Sequence, residues 1–166
     1  MFKYFFITSI IFSVFVSCNV YIKSDVTHVN NNAENSIIYD SVKAKKYGAD
    51  DYGMKKYVMA FLKKGPNRSL DSIEATNLQK AHLENIFKMA DEGKLILAGP
   101  FLDKDSIRGI YIFDVSTIDE ARQLTETDPA IRAGSLTMEL REWYGSAALM
   151  EVNEIHKTLE KKSIIE

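Results

Sequence analysis

The sequence predicts an α+β domain of ferredoxin-like βαββαβ order, with two helices on one face of a four-stranded antiparallel sheet. Three observations predict it. Four short apolar runs of strand character (55–67, 95–101, 108–116 and 136–146) are interleaved with two stretches of helical period in that order. Turn residues separate them: Gly65-Pro66, Gly99-Pro100 and Asp128-Pro129. The first and third runs are apolar at odd and even positions alike, so both faces of the sheet need cover, while the two helices supply cover for one. A second copy of the chain is the simplest source of the other cover, so a two-fold homodimer is expected.

The elements follow in order. KKYVMAFLKKGPN is a strand ending at a Gly-Pro turn, with Tyr57, Met59 and Phe61 on one side and Val58, Ala60 and Leu62 on the other. Ser72 is placed to cap the helix that follows, and Gly93 to stop it. LILAGPF is the second strand and RGIYIFDVS the third. Ser116 or Thr117 then precedes a second helix over IDEARQLTET. After DPAIRAG, the fourth strand LTMELREWYGS alternates Leu136, Met138 and Leu140 with Thr137, Glu139 and Arg141.

The flanks give an address. MFKYFFITSIIFSVFVSC opens with Lys3 and continues through an apolar run, Phe5 to Val16, too short to span a bilayer; residues 1–17 read as a signal peptide. The stretch Phe15-Val16-Ser17-Cys18 resembles the lipobox of bacterial lipoproteins, whose cysteine carries the lipid anchor. The resemblance implies an exported, membrane-anchored protein of the bacterial cell envelope, facing the periplasm or the exterior. The plainer reading is a secreted protein left with a lone thiol, which can close no intramolecular disulfide. Residues 18–54, rich in Asn, Asp, Ser and Lys, read as a lipid-anchored flexible tether, 55–145 as the domain, and 146–166 as a helical tail. In that tail Leu149, Val152, Ile155 and Leu159 recur at helical spacing, and His156 falls just beyond the stripe, toward solvent. The tail is expected to reach a partner subunit or to pack on its own domain.

Charge excludes some functions. The formal net charge is −2 with the two signs interspersed, so no nucleic-acid partner is expected. Phosphate-loop, dinucleotide and nucleophile-elbow patterns are absent, and no cofactor is implied.

His82 is the residue that needs explaining. At about 100° per residue, it lies in the apolar half of the first helix, between Met89 and Ile86. It is either a core histidine satisfied by its neighbours or an acid/base group directed at a pocket. No His, Cys or carboxylate stands three or four residues away on that face, so no metal is expected. Asp128, followed by Pro129, is the expected cap of a short helical turn. One of its oxygens could cap while the other orients an imidazole.

The run from Ala81 to Gly134 resembles the YCII-related family of small ferredoxin-like proteins that assemble as dimeric α/β barrels. The features that carry the resemblance are His82, Gly93, Ala98-Gly99-Pro100-Phe101, Gly109, Glu120-Ala121, Asp128-Pro129 and Gly134. What it implies is a His-Asp pair, His82 with Asp128, at a small cavity, and in one branch the elimination of chloride from chlorinated hydroxyquinones. Where many relatives carry an arginine a few residues before the histidine, this chain has Gln79 and Lys80. Gly99 would let a ligand approach the backbone, and Tyr57, Phe101 and Trp143 are candidate pocket walls or, equally, core aromatics. Two functions stand side by side: a small-molecule lyase or isomerase using a His-Asp pair, and a non-catalytic ligand-binding or assembly module of the envelope.

Overall fold

The computed structural model describes residues 38–103 and 105–164. The expected signal peptide, Cys18 and most of the expected tether lie outside the described residues. The compact unit begins at Tyr39. The first element is a short helix, α1 (Ser41–Tyr47), within the stretch read as tether. Its N-terminus is capped by Asp40, which accepts from the amides of Val42 and Lys43 at 3.0 and 2.9 Å, and Gly48, at φ 66°, ends it. Tyr47 donates to the Glu151 carboxylate at 2.6 Å, and Lys43 pairs with the same group at 2.9 Å. Contacts a hundred residues along the chain therefore hold a segment whose composition alone would leave it unfolded.

Then come β1 (Met54–Lys64), α2 (Ser72–Asp91), β2 (Leu95–Pro100), β3 (Ile107–Phe113), α3 (Ile118–Thr125), α4 (Pro129–Arg132) and β4 (Leu136–Ser146). A 3-10 turn, Ala147–Glu151, leads into α5 (Val152–Leu159). The sheet order is β2-β3-β1-β4, antiparallel throughout, which is the ferredoxin-like arrangement. Helix α2 starts one residue before the expected position. Asp71, not Ser72, is its cap, accepting from the amides of Ile73 and Glu74 while the Glu74 side chain accepts from Asp71 N–H. The acidic side chain completes a reciprocal box that Ser72 cannot. Gly93, at φ 69°, ends the helix as expected.

Alternation sorts the two faces. Val58, Ala60, Leu62, Leu95, Tyr111 and Phe113 point to the helices and form the core with Met89 and Ala121. Tyr57, Ile96 and Ile112 point the other way and form a second cluster with Met59, Leu97, Trp143, Leu149 and Met150. The tail thus covers one end of the face that the helices leave open. It is held there by the Ala147 amide on Gly53 O at 2.9 Å and by the Asn153 amide on Leu95 O, also at 2.9 Å. Phe61 and Ile110, paired across β1 and β3, are half-buried on the rest of that face. Of the expected tail stripe, Leu149 and Val152 pack on the domain, while Ile155 and Leu159 are exposed.

Two glycines serve this arrangement. A Cβ on Gly109 would stand 2.6 Å from Gly99 O on the neighbouring strand, and one on Gly145 would stand 2.2 Å from the ring of Trp143. The second lets the indole lie back along β4 and close the aromatic cluster.

Candidate active site

Helix α2 delivers His82 to the side of the sheet where Tyr111 rises from β3, and the residue is 7 % exposed. Its Nδ1 lies 2.8 Å from Oδ2 of Asp128. Asp128 is fully buried at the start of α4, and its other oxygen, Oδ1, accepts from the Ala130 amide at 2.8 Å. One carboxylate therefore does two tasks, a cap through one oxygen and an imidazole brace through the other. Pro129 takes the first helical position, where its missing N–H costs no bond. Thr127 ties the same turn to α2, donating to Asn85 Oδ1 at 3.1 Å and to Leu124 O at 2.7 Å. The distance between the two catalytic candidates is thus fixed from both helices.

The carboxylate is an acceptor only, so Nδ1 of His82 carries a proton and donates it. In the neutral imidazole this leaves Nε2 with its lone pair. The hydroxyl of Tyr111 lies 3.4 Å from it, and the two rings stack with centroids 6.4 Å apart and planes inclined by 22°. Burial, and behind it the negative charge of Asp128, pushes the Tyr111 phenol well above its ordinary pKa. The phenol stays protonated and is a donor toward Nε2, through a bond long enough to be given up to a ligand. Tyr111 in turn meets Phe113 edge-on at 5.7 Å.

His82 and Tyr111 share the wall of a cavity of about 600 Å³. It lies between α2, the free edge of β2 and the tail. Leu83, Ile86 and Phe87 make its helix wall, and Ile96 to Pro100 its strand wall. The strand pairing shifts register between Leu95 and Leu97, so Ile96 and Leu97 both turn toward the second cluster. Such a bulge bends an edge strand and re-aims its side chains.

The residues singled out in the sequence divide between two places. His82 and Asp128 come together, and Gly99 lines the cavity. A Cβ at Gly99 would meet nothing within 4 Å, so glycine is not sterically required there. Tyr57 and Trp143 do not line this cavity: both lie in the cluster on the other face of the sheet, with ring centroids 5.9 Å apart, and Tyr57 donates to Ser146 O at 3.1 Å. The reason is parity, because Tyr57 alternates with Val58 and pairs with Trp143 across the strands. Phe101 stands just past β2, 43 % exposed and outside the cavity lining. Two groups at the cavity were not singled out for it, Tyr111 and His156. The first is one aromatic in a strand apolar on both faces, and nothing marks it. The second, expected in solvent, is exposed but stands at the cavity rim. Among the described residues no group of three or more His, Cys, Asp or Glu side chains could hold a metal ion.

Comparison with known proteins places this architecture. The YCII-related domain profile matches residues 57–155. The chain belongs to the YCII-related domain family. Among curated relatives, the uncharacterized protein YjpA of Bacillus subtilis (strain 168) is 29% identical over 62 residues, which cover 37% of this chain and 71% of YjpA. Among solved structures, 5-chloro-2-hydroxyhydroquinone dehydrochlorinase (TftG) from Burkholderia phenoliruptrix AC1100, in complex with 2,5-dihydroxybenzoquinone, is 21% identical. That match covers 52% of this chain and 92% of TftG, at a TM-score of 0.40. The fold assignment rests on the strand order of the chain itself. Neither α1 nor the end of the tail, from His156 onward, falls within the family match.

Proposed function

We propose that this YCII-related protein is a cofactor-independent acid/base enzyme, a lyase or isomerase acting on a small ring- or carbonyl-bearing molecule. His82 is the proton carrier and Asp128 its positioning residue. The observation that carries the reading is the division of labour in the buried Asp128 carboxylate, which leaves Nε2 of His82, met among the described residues only by the long contact from the Tyr111 hydroxyl, as the basic nitrogen at a mostly apolar cavity. When a C–H bond of the ligand breaks, its proton passes to Nε2 and its electron pair stays on the ligand. The imidazolium so formed is stabilised by Asp128. An isomerase returns the proton to another carbon; in a lyase the electron pair becomes a new double bond as the leaving group departs with the electrons of its own bond to the neighbouring carbon. A positioned base of this kind accelerates proton transfer by about 10² to 10⁴.

The reading has a test that needs no substrate. Nitrogen-15 NMR of the imidazoles should find His82 protonated at Nδ1 in the wild type and at Nε2 in Asp128→Asn, whose amide keeps the cap but can donate to Nδ1. A wild-type His82 protonated at Nε2 would overturn the assignment of the base. Proton exchange from a panel of cyclic enones and hydroxylated aromatics in D2O should then be lost in His82→Gln. Ligand binding that persists in both variants, with no exchange in the wild type, would favour a non-catalytic binding module instead.

Three further readings belong with this one. A second copy is the cover for the half-buried stretch around Phe61 and Ile110, giving a homodimeric α/β barrel; light scattering of Phe61→Asp should find a monomer where the wild type is a dimer. Residues 1–17 direct export. Cys18 carries a lipid that holds the protein in the envelope, and labelling with palmitate should disappear in Cys18→Ser.

A further inference from the structure

The cavity has two kinds of wall. The wall from α2, β2 and β3 carries no charged side chain: apart from His82, its polar groups are Gln79 and the Tyr111 hydroxyl. All the charge comes from the tail, as Glu160 and Lys162, and the tail also brings a second imidazole, His156. Asn153, His156 and Glu160 stand one, four and eight residues beyond Val152, so α5 and its cap turn a single face to the cavity. Asn153 clamps that face to the edge of β2 through Leu95 O, which fixes the approach of the residues beyond it. Lys157, by contrast, pairs with Glu154 at 3.0 Å and does not line the cavity.

Formal charge on this wall cancels, but hydrogen-bonding capacity does not. Lys162 offers three donors and His156 at least one in its protonated form or in the matching tautomer, while the Asn153 amide already serves Leu95 O. Glu160 offers acceptors only. We propose that the tail reads the ligand: His156 and Lys162 hold an acidic oxygen, a carboxylate or phenolate, at the outer end of an apolar molecule whose body fills the cavity toward His82. This deepens the reading of the cavity as the ligand site, and rests on it. The tail is then a specificity element, and Glu160 sets its selectivity by opposing anions that the two donors do not hold firmly.

Two dyes that share an aromatic body test this with the whole protein: anilinonaphthalene sulfonate, and phenylnaphthylamine, which lacks the sulfonate. The wild type should bind the sulfonate dye more tightly. The double variant His156→Leu/Lys162→Met should weaken that dye about tenfold and move the neutral dye by less than about twofold, since charge-assisted bonds to one group are lost. Glu160→Gln should tighten the sulfonate dye about twofold, as removal of a partly screened like charge predicts. All three side chains are exposed, so unchanged melting curves are expected. Ala90→Trp, which adds an indole to the cavity lining, should remove both signals and so assign them to this site. If the double variant weakens both dyes equally, or Glu160→Gln loosens the sulfonate dye, the tail does not read an acidic group, and the proton-transfer role of His82 stands apart from that failure. If neither dye binds, or both survive Ala90→Trp, the cavity is not the ligand site and both readings fall.

Discussion

The two faces of the sheet are built from the same strands and from similar residues, yet they are finished differently. On the helix side Phe113 and Ala60 are fully buried, and a polar pair, His82 with Asp128, is buried among them with its bonds made. On the other side Tyr57 and Ile112 are buried by the chain's own tail, but Phe61 and Ile110 are only half-covered. A face closed by long helices can hold a carboxylate out of water, because capping and imidazole bonds replace its hydration. The face closed by a short 3-10 turn carries its charge at the margin, where Lys55 pairs with the partly exposed Asp114 at 2.7 Å and lies over the Tyr57 ring, beside the aromatic and aliphatic cluster. The pocket belongs to the seam between the two, at the edge of β2, where the tail meets α2.

The sharpest way to break this comparison is to remove Asp128. Asp128→Leu should cost about 3–5 kcal/mol, because it leaves the Ala130 amide and His82 Nδ1 without partners in a closed site. Asp128→Asn, which keeps the cap, should cost about 1–2 kcal/mol. Chemical denaturation of the two variants measures the gap. Equal losses would mean that the carboxylate contributes through its bulk alone and that the brace on His82 is incidental.

Next in size is a matched pair of truncations. Phe113→Ala should cost about 3–5 kcal/mol wherever it is measured, as a fully buried ring lost from a packed core. Phe61→Ala should cost about 1 kcal/mol at low protein concentration, where a half-buried ring loses less contact. Its cost should rise with concentration if a second copy covers it. A concentration-independent loss as large as that of Phe113→Ala would show the open face to be closed within one chain.

How much of this was legible beforehand depended on whether a signal was local. Strand order, the helix ends at Gly93 and Asp128, and the apolar bearing of His82 all come from period and capping, which act over a few residues. The face on which Tyr57 and Trp143 lie is a matter of parity, and in a strand greasy on both sides parity decides nothing until the partner strand is known. Helix α1 was hidden because its support is Glu151, and composition around Lys43 to Lys46 reads as solvated chain. Tyr111 and the tail's part in the cavity were hidden for the same reason. The first matters through a histidine 29 positions away, and the second through one amide, Asn153, on one edge carbonyl.

The smallest expected effect concerns pH and joins the two faces again. Burial, with the charge of Asp114 behind it, raises the Tyr57 phenol to about 12, and Tyr111 moves in the same direction on the opposite face. For a tyrosine the neutral form is the protonated one, so a raised folded value means that the native state keeps its proton longer than the unfolded chain, whose tyrosines titrate near about 10. Above that value the native state binds more protons, and by linkage stability falls as pH rises. The stabilisation is fully present below about pH 10 and is lost progressively through about pH 12 and beyond. Denaturation at stepped alkaline pH should therefore give a falling curve whose slope is reduced in Tyr57→Phe and again in Tyr111→Phe. At neutral pH the second variant also loses the donor to His82 Nε2, a loss of about 0.5–1 kcal/mol for so long a bond. A neutral-pH loss confined to Tyr57→Phe would mean that the hydroxyl of Tyr111 contributes nothing to holding the imidazole, and that Asp128 alone sets its orientation.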